Sequence, residues 1–319
     1  MVVVLGLAAA LLAGCTATPE DALAPSTDAD LAPAPDTAAE QAGSAPSDPR
    51  PSAARADNGS TGSATTLTTA SEPAWATADA AAIRPGIQTF TEGAQCTANF
   101  VFWAANGTGF DLYVGQAAHC AGTGAATDTN GCTAESLPLG TKVDLGTGHD
   151  GVLAYSSWIA MQEADTDASA AECFGNDFAL VRIAEADEAS VSPEVPFFGG
   201  PVALAAVGSL GTGDEVYSYG NSGLRLGIED GLSWKHGNVV SSTEWLADVY
   251  TATPGIPGDS GSGFLTADGG AWGVLSTVAI APLPASNQVS GLVPALDYAA
   301  AHGGPAVQLG TAPWSGGIV

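Results

Sequence analysis

The chain has 319 residues, and its 34 acidic residues against 7 basic ones give a formal net charge of −27 at pH 7. This length, with 45% hydrophobic residues, is sufficient for one large domain or two with a sizeable core. The negative charge excludes nucleic acid and anionic membrane surfaces as electrostatic partners, because both would repel the protein. We interpret the acidity as a solubility feature in preference to a site for a cationic partner.

The first fifteen residues form an apolar leader that ends in Leu-Ala-Gly-Cys at residues 12–15. The leader is too short to span a bilayer as a helix, and an apolar run that ends in small residues is typical of an export signal. Its ending resembles a bacterial lipobox, in which the cysteine is lipidated, although no Lys or Arg precedes Cys15. We therefore expect a signal peptide at residues 1–14 and a lipid anchor at Cys15 facing the cell exterior. Ordinary secretion is the alternative.

Residues 15–82 are rich in Ala, Pro, Thr, Ser and Asp and contain few large apolar side chains. Such a segment buries too little surface to fold, so it is predicted to be a disordered tether. Aromatic and branched apolar residues return from Ile83 onward. We therefore place a single folded domain at residues 83–319.

Within this domain, short runs of β-branched and aromatic residues alternate with Gly, Pro, Asn and Asp, which is typical of strands and turns. The predicted strands are residues 97–103, 112–115, 151–157, 178–183, 215–219, 237–242, 248–251, 263–266 and 271–277. Many short strands predict an all-β sandwich or barrel. Residues 294–302 begin with proline and stop before two glycines, so a short C-terminal helix is also expected.

Four cysteines follow Cys15, namely Cys96, Cys120, Cys132 and Cys173. An even number in an exported chain indicates disulfides, for which three connectivities are possible. The chain has neither a Cys-x-x-Cys pair nor a His-Glu-x-x-His motif. We therefore expect no metal site and no cofactor.

Three separated motifs carry the side chains that nucleophilic catalysis by serine requires. His119 follows a predicted strand, Asp177 opens an apolar run, and Ser260 lies among glycines and prolines that favour a rigid turn. A serine hydroxyl needs a neighbouring base, and a carboxylate orients that base. Each residue alone is more often part of a turn or a helix cap. Together they indicate a His–Asp–Ser triad.

The segments that carry these residues are Ala-Ala-His-Cys, Asn-Asp-Phe-Ala-Leu and Gly-Asp-Ser-Gly, in that order. They resemble the chymotrypsin-fold serine proteases, particularly the secreted bacterial members, and the resemblance covers about residues 83–304. It implies two six-stranded antiparallel β-barrels with the active site in the cleft between them. His119 and Asp177 would come from the first barrel and Ser260 from the second.

The resemblance also implies a Cys96–Cys120 disulfide, which would fix the loop that carries His119. We favour this connectivity, with Cys132 joined to Cys173. Each bridge would stabilise the fold by about 2–4 kcal/mol, mostly by restricting the unfolded chain.

The glycine-rich turn before the nucleophile is expected to form an oxyanion hole from the backbone amides of Gly258 and Ser260. In many animal members of the family, the residue at Asp259 pairs with a freshly cut N-terminal amine. Here Asp259 would bind either an internal cation or an amine released by cleavage near residue 83. The internal candidates are Arg225 and Arg182.

By resemblance, Pro254 forms the base of the P1 pocket, while Ser276, Thr277 and Val278 belong to the strand that pairs with substrate. Pro254 carries no charge, which argues against a preference for Lys or Arg at P1. Val278 stands where a glycine would leave the pocket open, so the pocket would be shallow. We expect small or medium apolar P1 residues in a peptide or protein substrate, cleaved by a monomer.

The sequence therefore predicts an exported serine endopeptidase that acts through an acyl-enzyme intermediate. The main alternative is a surface-anchored binding module that keeps the fold without catalysis. An esterase of the Gly-Asp-Ser type is disfavoured, because such enzymes need a helix-rich α/β pattern. The Gly-x-Ser-x-Gly elbow is also unmatched, since Ser262 stands at its second glycine.

Overall fold

A computed structural model describes residues 72–125, 128–146, 148–164, 168–226, 229–278, 283 and 285–316. These residues belong to the second of two units into which the chain divides, Thr66–Val319. The expected signal peptide, Cys15 and most of the expected tether lie outside the described residues.

The described part of the chain consists mainly of β-strands with a few short helices. The strands are β1 Gln88–Thr91, β2 Ala94–Thr97, β3 Val101–Ala105, β4 Phe110–Gln116, β5 Lys142–Asp144, β6 Asp150–Ser156, β7 Ala179–Ile183, β8 Ala203–Leu204, β9 Glu215–Tyr219, β10 Trp234–Ser242, β11 Leu246–Thr251, β12 Gly263–Thr266, β13 Gly270–Val278, β14 Asn287–Gly291 and β15 Gln308–Leu309. The α-helices are α1 Ser157–Glu163, α2 Ala170–Gly175, α3 Glu229–Leu232 and α4 Leu292–Ala301. Short 3-10 turns occupy Ala118–Ala121, Glu185–Ser190 and Gly223–Arg225.

The first sheet has the strand order β15-β3-β4-β7-β6-β5-β1-β2. Its ends meet because β2 and β3 are halves of one bent strand. Ala98 N donates to Ile87 O beside β1, and the next amide, Asn99 N, donates to Gly115 O in β4, each at 2.9 Å. Counting the bent strand once, the sheet closes into a six-stranded antiparallel barrel, to which β15 adds at β3.

The second sheet has the order β12-β9-β10-β11-β14-β13-β8, and an additional pairing joins β12 to β13. This pairing closes six antiparallel strands into a second barrel, while β8 adds to β13 in parallel. Apolar side chains from all six strands fill its interior. They are Val216, Val239, Val249, Phe264, Leu275 and Val289.

The predicted all-β fold of two six-stranded antiparallel barrels with a short C-terminal helix is confirmed. Strands β9 and β12 have the predicted bounds, whereas the strand predicted at 97–103 is interrupted where it bends. The sequence analysis missed β1, β5, β14 and the two-residue strands β8 and β15. Part of the reason is that β1 and β14 bury polar residues such as Thr89, Thr91 and Asn287, so their buried faces carry little hydrophobic signal.

The N-terminal boundary of the folded unit differs from the expected one at residue 83. Ala76 N donates to Val191 O and Ala82 N donates to Ser190 O, each at 2.9 Å. Glu72 Oε1 accepts a hydrogen bond of 2.9 Å from Thr311 N. The folded unit therefore begins before residue 83.

The structure contains the two disulfides that the sequence analysis favoured, Cys96–Cys120 and Cys132–Cys173. The first joins β2 to the 3-10 turn that follows β4, and the second joins the loop after that turn to α2. The first bridge therefore fixes the turn that carries His119 to a strand of the first barrel. No helix in the described ranges is long and apolar enough to cross a bilayer.

Candidate active site

His119 and Asp177 meet at the ends of two neighbouring strands. His119 lies in the turn directly after β4, and Asp177 lies directly before β7, which pairs antiparallel with β4. His119 N donates to Asp177 Oδ1 at 2.9 Å, and the ring Nδ1 lies 2.7 Å from Oδ2. One carboxylate thus holds both the backbone and the ring of the histidine. Nε2 is left as the ring nitrogen that this pair does not use.

The surroundings keep the Asp177 carboxylate ionised. Burial alone would raise its pKa, but the charge of His119 and the hydrogen bonds from His119 and Ser276 outweigh burial and lower the pKa. The Ser276 hydroxyl donates to Asp177 Oδ2 at 2.5 Å. Burial would lower the pKa of His119, but Asp177 reverses this effect and raises it. An imidazolium formed by proton uptake is therefore stabilised by an ionised neighbour.

Ser260 lies on a turn of the second barrel that is bonded to β2 of the first. Thr97 N donates to Ser260 O at 2.8 Å. The Gly258 carbonyl accepts from Thr97 Oγ1 at 2.7 Å and from Gln95 Nε2 at 3.0 Å. These bonds hold the serine at the junction of the two barrels.

Most of the predicted catalytic and substrate-binding residues lie at one cleft of about 800 Å³. His119, Ser260 and Gly258 line it, and Ser276, Thr277 and Val278 form the neighbouring part of its wall. Asp177 is buried behind His119. The His119–Asp177 pair and Ser260 thus reach the same cleft from distant parts of the chain.

Three side chains of types that can bind a metal ion also line this cleft. Within the described ranges, Cys96, His119 and Cys120 offer ligand atoms that lie within 4.8 Å of one another. Both cysteines are joined in a disulfide, so neither supplies the thiolate that a metal ion would need.

Two backbone amides on the turn at Ser260 have no protein acceptor among the described residues. Pro257 O accepts from the hydroxyl of buried Ser222 at 2.5 Å. Carbonyl and amide point in opposite directions in a trans peptide, so the Gly258 N–H is directed away from Ser222. In the part of the chain that the structure describes, neither Gly258 N nor Ser260 N donates to a protein acceptor. Both amides are therefore available to an anion in the cleft.

We expect Gly258→Ala to lower kcat about 100–1000-fold, the usual loss for one oxyanion donor. Gly258 has φ +99°, and a Cβ there would lie 2.2 Å from Gln95 Oε1 and 3.0 Å from Ser222 Oγ, so the turn must shift. Steady-state kinetics on a peptide substrate measures the effect. Gly213→Ala is the matched control, because Gly213 has φ +96° with no atom within 4 Å of the added Cβ. Equal activity of the two variants would contradict this role of Gly258.

Asp259 binds internal cations. The Arg225 guanidinium contacts both carboxylate oxygens, and Lys235 Nζ lies 2.9 Å from Oδ2. Burial would raise the pKa of Asp259, but these two cations outweigh burial and lower it. Arg182 is exposed on β7, so this candidate partner was wrong. Lys235 was missed because no motif surrounds it. Ile83, near which cleavage would have released an amine partner for Asp259, is instead bonded to the segment at Val191.

Pro254 lies outside the cleft, so the expected base of the P1 pocket is corrected. Pro254 is exposed, and the cleft wall is formed instead by the following residues Ile256 and Pro257. The physical reason is the anchoring of Gly255, whose amide donates to Asn287 Oδ1 at 2.7 Å. This bond holds the buried chain at Gly255 and leaves its predecessor on the surface.

Asn287 holds the chain at Gly255 from behind the cleft, and the sequence analysis did not identify it. It is fully buried on β14, and its Nδ2 donates to Thr251 Oγ1 at 2.8 Å. A Cβ on Gly255 would meet Leu275 Cδ2 and Val278 Cγ2, each at 3.1 Å. The side chains of Leu275 and Val278 therefore already fill the space beside Gly255, which we call the space behind Val278. No signal in the sequence marked Asn287, because β14 itself was not predicted.

No family model matches the chain, and no curated protein matches it. Among solved structures it is similar to Thermobifida fusca protease A, at 18% identity over 72% of this chain and 98% of that chain, with a TM-score of 0.44. Cellulomonas bogoriensis chymotrypsin gives 17% identity over 71% and 97% of the two chains, with a TM-score of 0.41. A Glu endopeptidase in complex with MPD gives 16% over 70% and 93%, with a TM-score of 0.44. At these values the likeness establishes neither the activity nor the substrate of this chain.

Proposed function

We propose that the protein is an exported serine endopeptidase that cleaves peptide bonds through an acyl-enzyme intermediate on Ser260. One arrangement carries this proposal. The Asp177–His119 pair and the Ser260 turn share one cleft, and the amides of Gly258 and Ser260 have no protein acceptor among the described residues. These are the base, the nucleophile and the oxyanion donors of acyl transfer.

In the proposed reaction, Ser260 Oγ attacks the peptide carbonyl carbon while His119 Nε2 takes the hydroxyl proton. The carbonyl oxygen becomes an oxyanion that accepts hydrogen bonds from the two free amides. His119 then gives the proton to the leaving amine as the C–N bond breaks, and an ester on Ser260 remains. Water attacks this ester with His119 again as base, which releases the carboxylic acid. The Asp177 carboxylate stabilises the imidazolium in both steps.

The substrate would bind as an additional strand along β13. Strand β12 pairs with β13 only as far as Val274, and Leu275 N still donates to Ser262 O. Beyond that point, residues 276–278 line the cleft while β14 pairs with their other edge. An extended peptide could therefore bond to this open edge, backbone to backbone.

The filled space behind Val278 supports a preference for small or medium apolar P1 residues. We expect Val278→Gly to raise kcat/KM for Leu or Phe at P1, relative to Ala, by about 10-fold or more. Removing the side chain takes away Cγ2, which lies 3.1 Å from the position of a Gly255 Cβ. A peptide library that varies P1 measures the change, and Val207→Gly at an exposed site outside the cleft is the control.

An unchanged P1 profile in Val278→Gly would contradict this pocket assignment. Absence of hydrolysis by the wild type for every peptide of the library would favour the alternative, a surface-anchored binding module of the same fold.

The same proposal includes export, since two disulfides suit an oxidising compartment. It also includes a signal peptide at residues 1–14, a lipid anchor at Cys15 and a monomeric enzyme.

A further inference from the structure

Lys235 is a fully buried lysine at the start of β10. Its Nζ lies 2.9 Å from Asp259 Oδ2, and both side chains have 0% exposure. Within the described ranges no hydrogen bond of regular geometry reaches this Nζ. Lysine is almost never fully buried unless it is paired, and here its partner is the residue next to Ser260.

The buried cluster contains more positive than negative charge. Arg225 already contacts both oxygens of Asp259, and Lys235 is a second cation on the same carboxylate. Among the described residues these are the two charged groups that act on Lys235, one from the turn that carries Ser260 and one from the loop between β9 and β10. The residue opposite Lys235 on β9 is the uncharged Ser218. With a protonated lysine, the cluster has a net charge of one positive unit.

Asp259 connects this cluster to the proposed oxyanion donors. It stands between Gly258 and Ser260 in the chain, and its carboxylate accepts from Ile256 N at 3.1 Å. The other oxygen accepts from Ser222 N, also at 3.1 Å. A group that binds this carboxylate therefore helps to set the shape of the whole turn. Positive charge held in a water-excluded region close to a developing oxyanion also stabilises it.

We propose that Lys235 is a positioning residue of the proposed protease. Through Asp259, its ammonium group holds the oxyanion turn in shape and supplies the surplus positive charge behind it. This inference rests on the proposed function. In this role the protonated form of Lys235 favours catalysis, whereas burying that charged form lowers the free energy of unfolding.

Proton linkage predicts that kcat and folding stability respond to pH in opposite directions. Burial lowers the pKa of Lys235, Asp259 offsets this only in part, and Arg225 lowers the pKa further. Between the lowered pKa of the folded protein and the ordinary pKa of the unfolded chain, the unfolded chain binds more protons. Stability therefore contains a contribution that rises with pH across this window. The ammonium form is lost over the same window, so kcat should fall as this contribution to stability rises.

The test compares the wild type with Lys235→Met, which removes the charge while Asp259 keeps Arg225. We expect kcat at neutral pH to fall about 10-fold with KM little changed. The alkaline decline of kcat should disappear in this variant, and its Tm should equal or exceed that of the wild type. Lys142→Met is the matched control, because that lysine is 69% exposed and pairs with Asp150 at the surface. It should keep wild-type kcat and its alkaline decline.

Two results would overturn the role of Lys235 alone. One is an active wild type whose kcat and alkaline decline are unchanged in Lys235→Met. The other is a Tm that falls together with kcat, because a purely structural lysine would give that result. A folded wild type that neither hydrolyses peptides nor reacts with a fluorophosphonate would overturn the proposed function, and with it the positioning role.

Discussion

Ser260→Ala is expected to lower kcat by about 10⁶-fold and to abolish covalent labelling by a fluorophosphonate. The alanine variant has no hydroxyl to form the ester, so His119 has no proton to take and no acyl-enzyme can accumulate. The free amides and the substrate edge remain, so binding should persist with a small residual rate. Peptide hydrolysis and labelling, with the label mapped by mass spectrometry, measure both effects.

Ser262→Ala is the matched control for this variant. Ser262 is only two positions away and fully buried, but it does not line the cleft. Its alanine variant should keep labelling and kcat close to wild type. Labelling that persists in Ser260→Ala would show that another residue is the nucleophile, and the proposed mechanism would fail.

Asp177→Asn should lower kcat by about 10⁴-fold with little effect on KM. The carboxylate accepts from His119 N through Oδ1, and from the His119 ring and Ser276 through Oδ2. Asparagine has one acceptor oxygen. If that oxygen keeps the backbone bond, its amino group faces the ring Nδ1. The proton of the neutral ring then moves to Nε2, and the ring cannot accept the serine proton.

A second His–Asp pair in the same chain provides the control for this prediction. His149 Nδ1 lies 2.8 Å from Asp187 Oδ1, and neither residue lines the cleft. Asp187→Asn removes the same carboxylate chemistry without touching the site, so kcat should be unchanged. A kcat for Asp177→Asn within about tenfold of wild type would exclude Asp177 as the orienting group.

The parts of the site that could be predicted from the sequence are those carried by local motifs. His119, Asp177 and Ser260 each stand in a short segment whose composition marks a strand end or a rigid turn. The partners that complete the site have no such segment. Lys235 lies between Trp234 and His236 on a strand, and nothing in that context indicates a buried ammonium group. Its proposed role depends on Asp259, which is 24 positions away in the chain and lies beside it only in the folded second barrel.

The P1 pocket illustrates the same limit. The position of Pro254 relative to Ser260 selected it as the expected base of the pocket. The number of residues between the two does not fix the path of the chain. The bond from Gly255 N to Asn287 Oδ1 sets its path, and the two residues are 32 positions apart. Asn287 also lies on a strand that buries polar side chains, and this weakens the hydrophobic alternation by which strands are recognised.

By itself, the sequence determined the all-β class, the C-terminal helix, the presence of disulfides and the side chains suited to serine catalysis. These properties follow from local composition, turn residues and chemical type, which act over a few neighbouring residues. Only the tertiary structure decided the cation partners of Asp259, the orientation of the oxyanion turn and the side chains that fill the space behind Val278. Those features depend on distances between strands far apart in the chain, and barrel closure sets these distances.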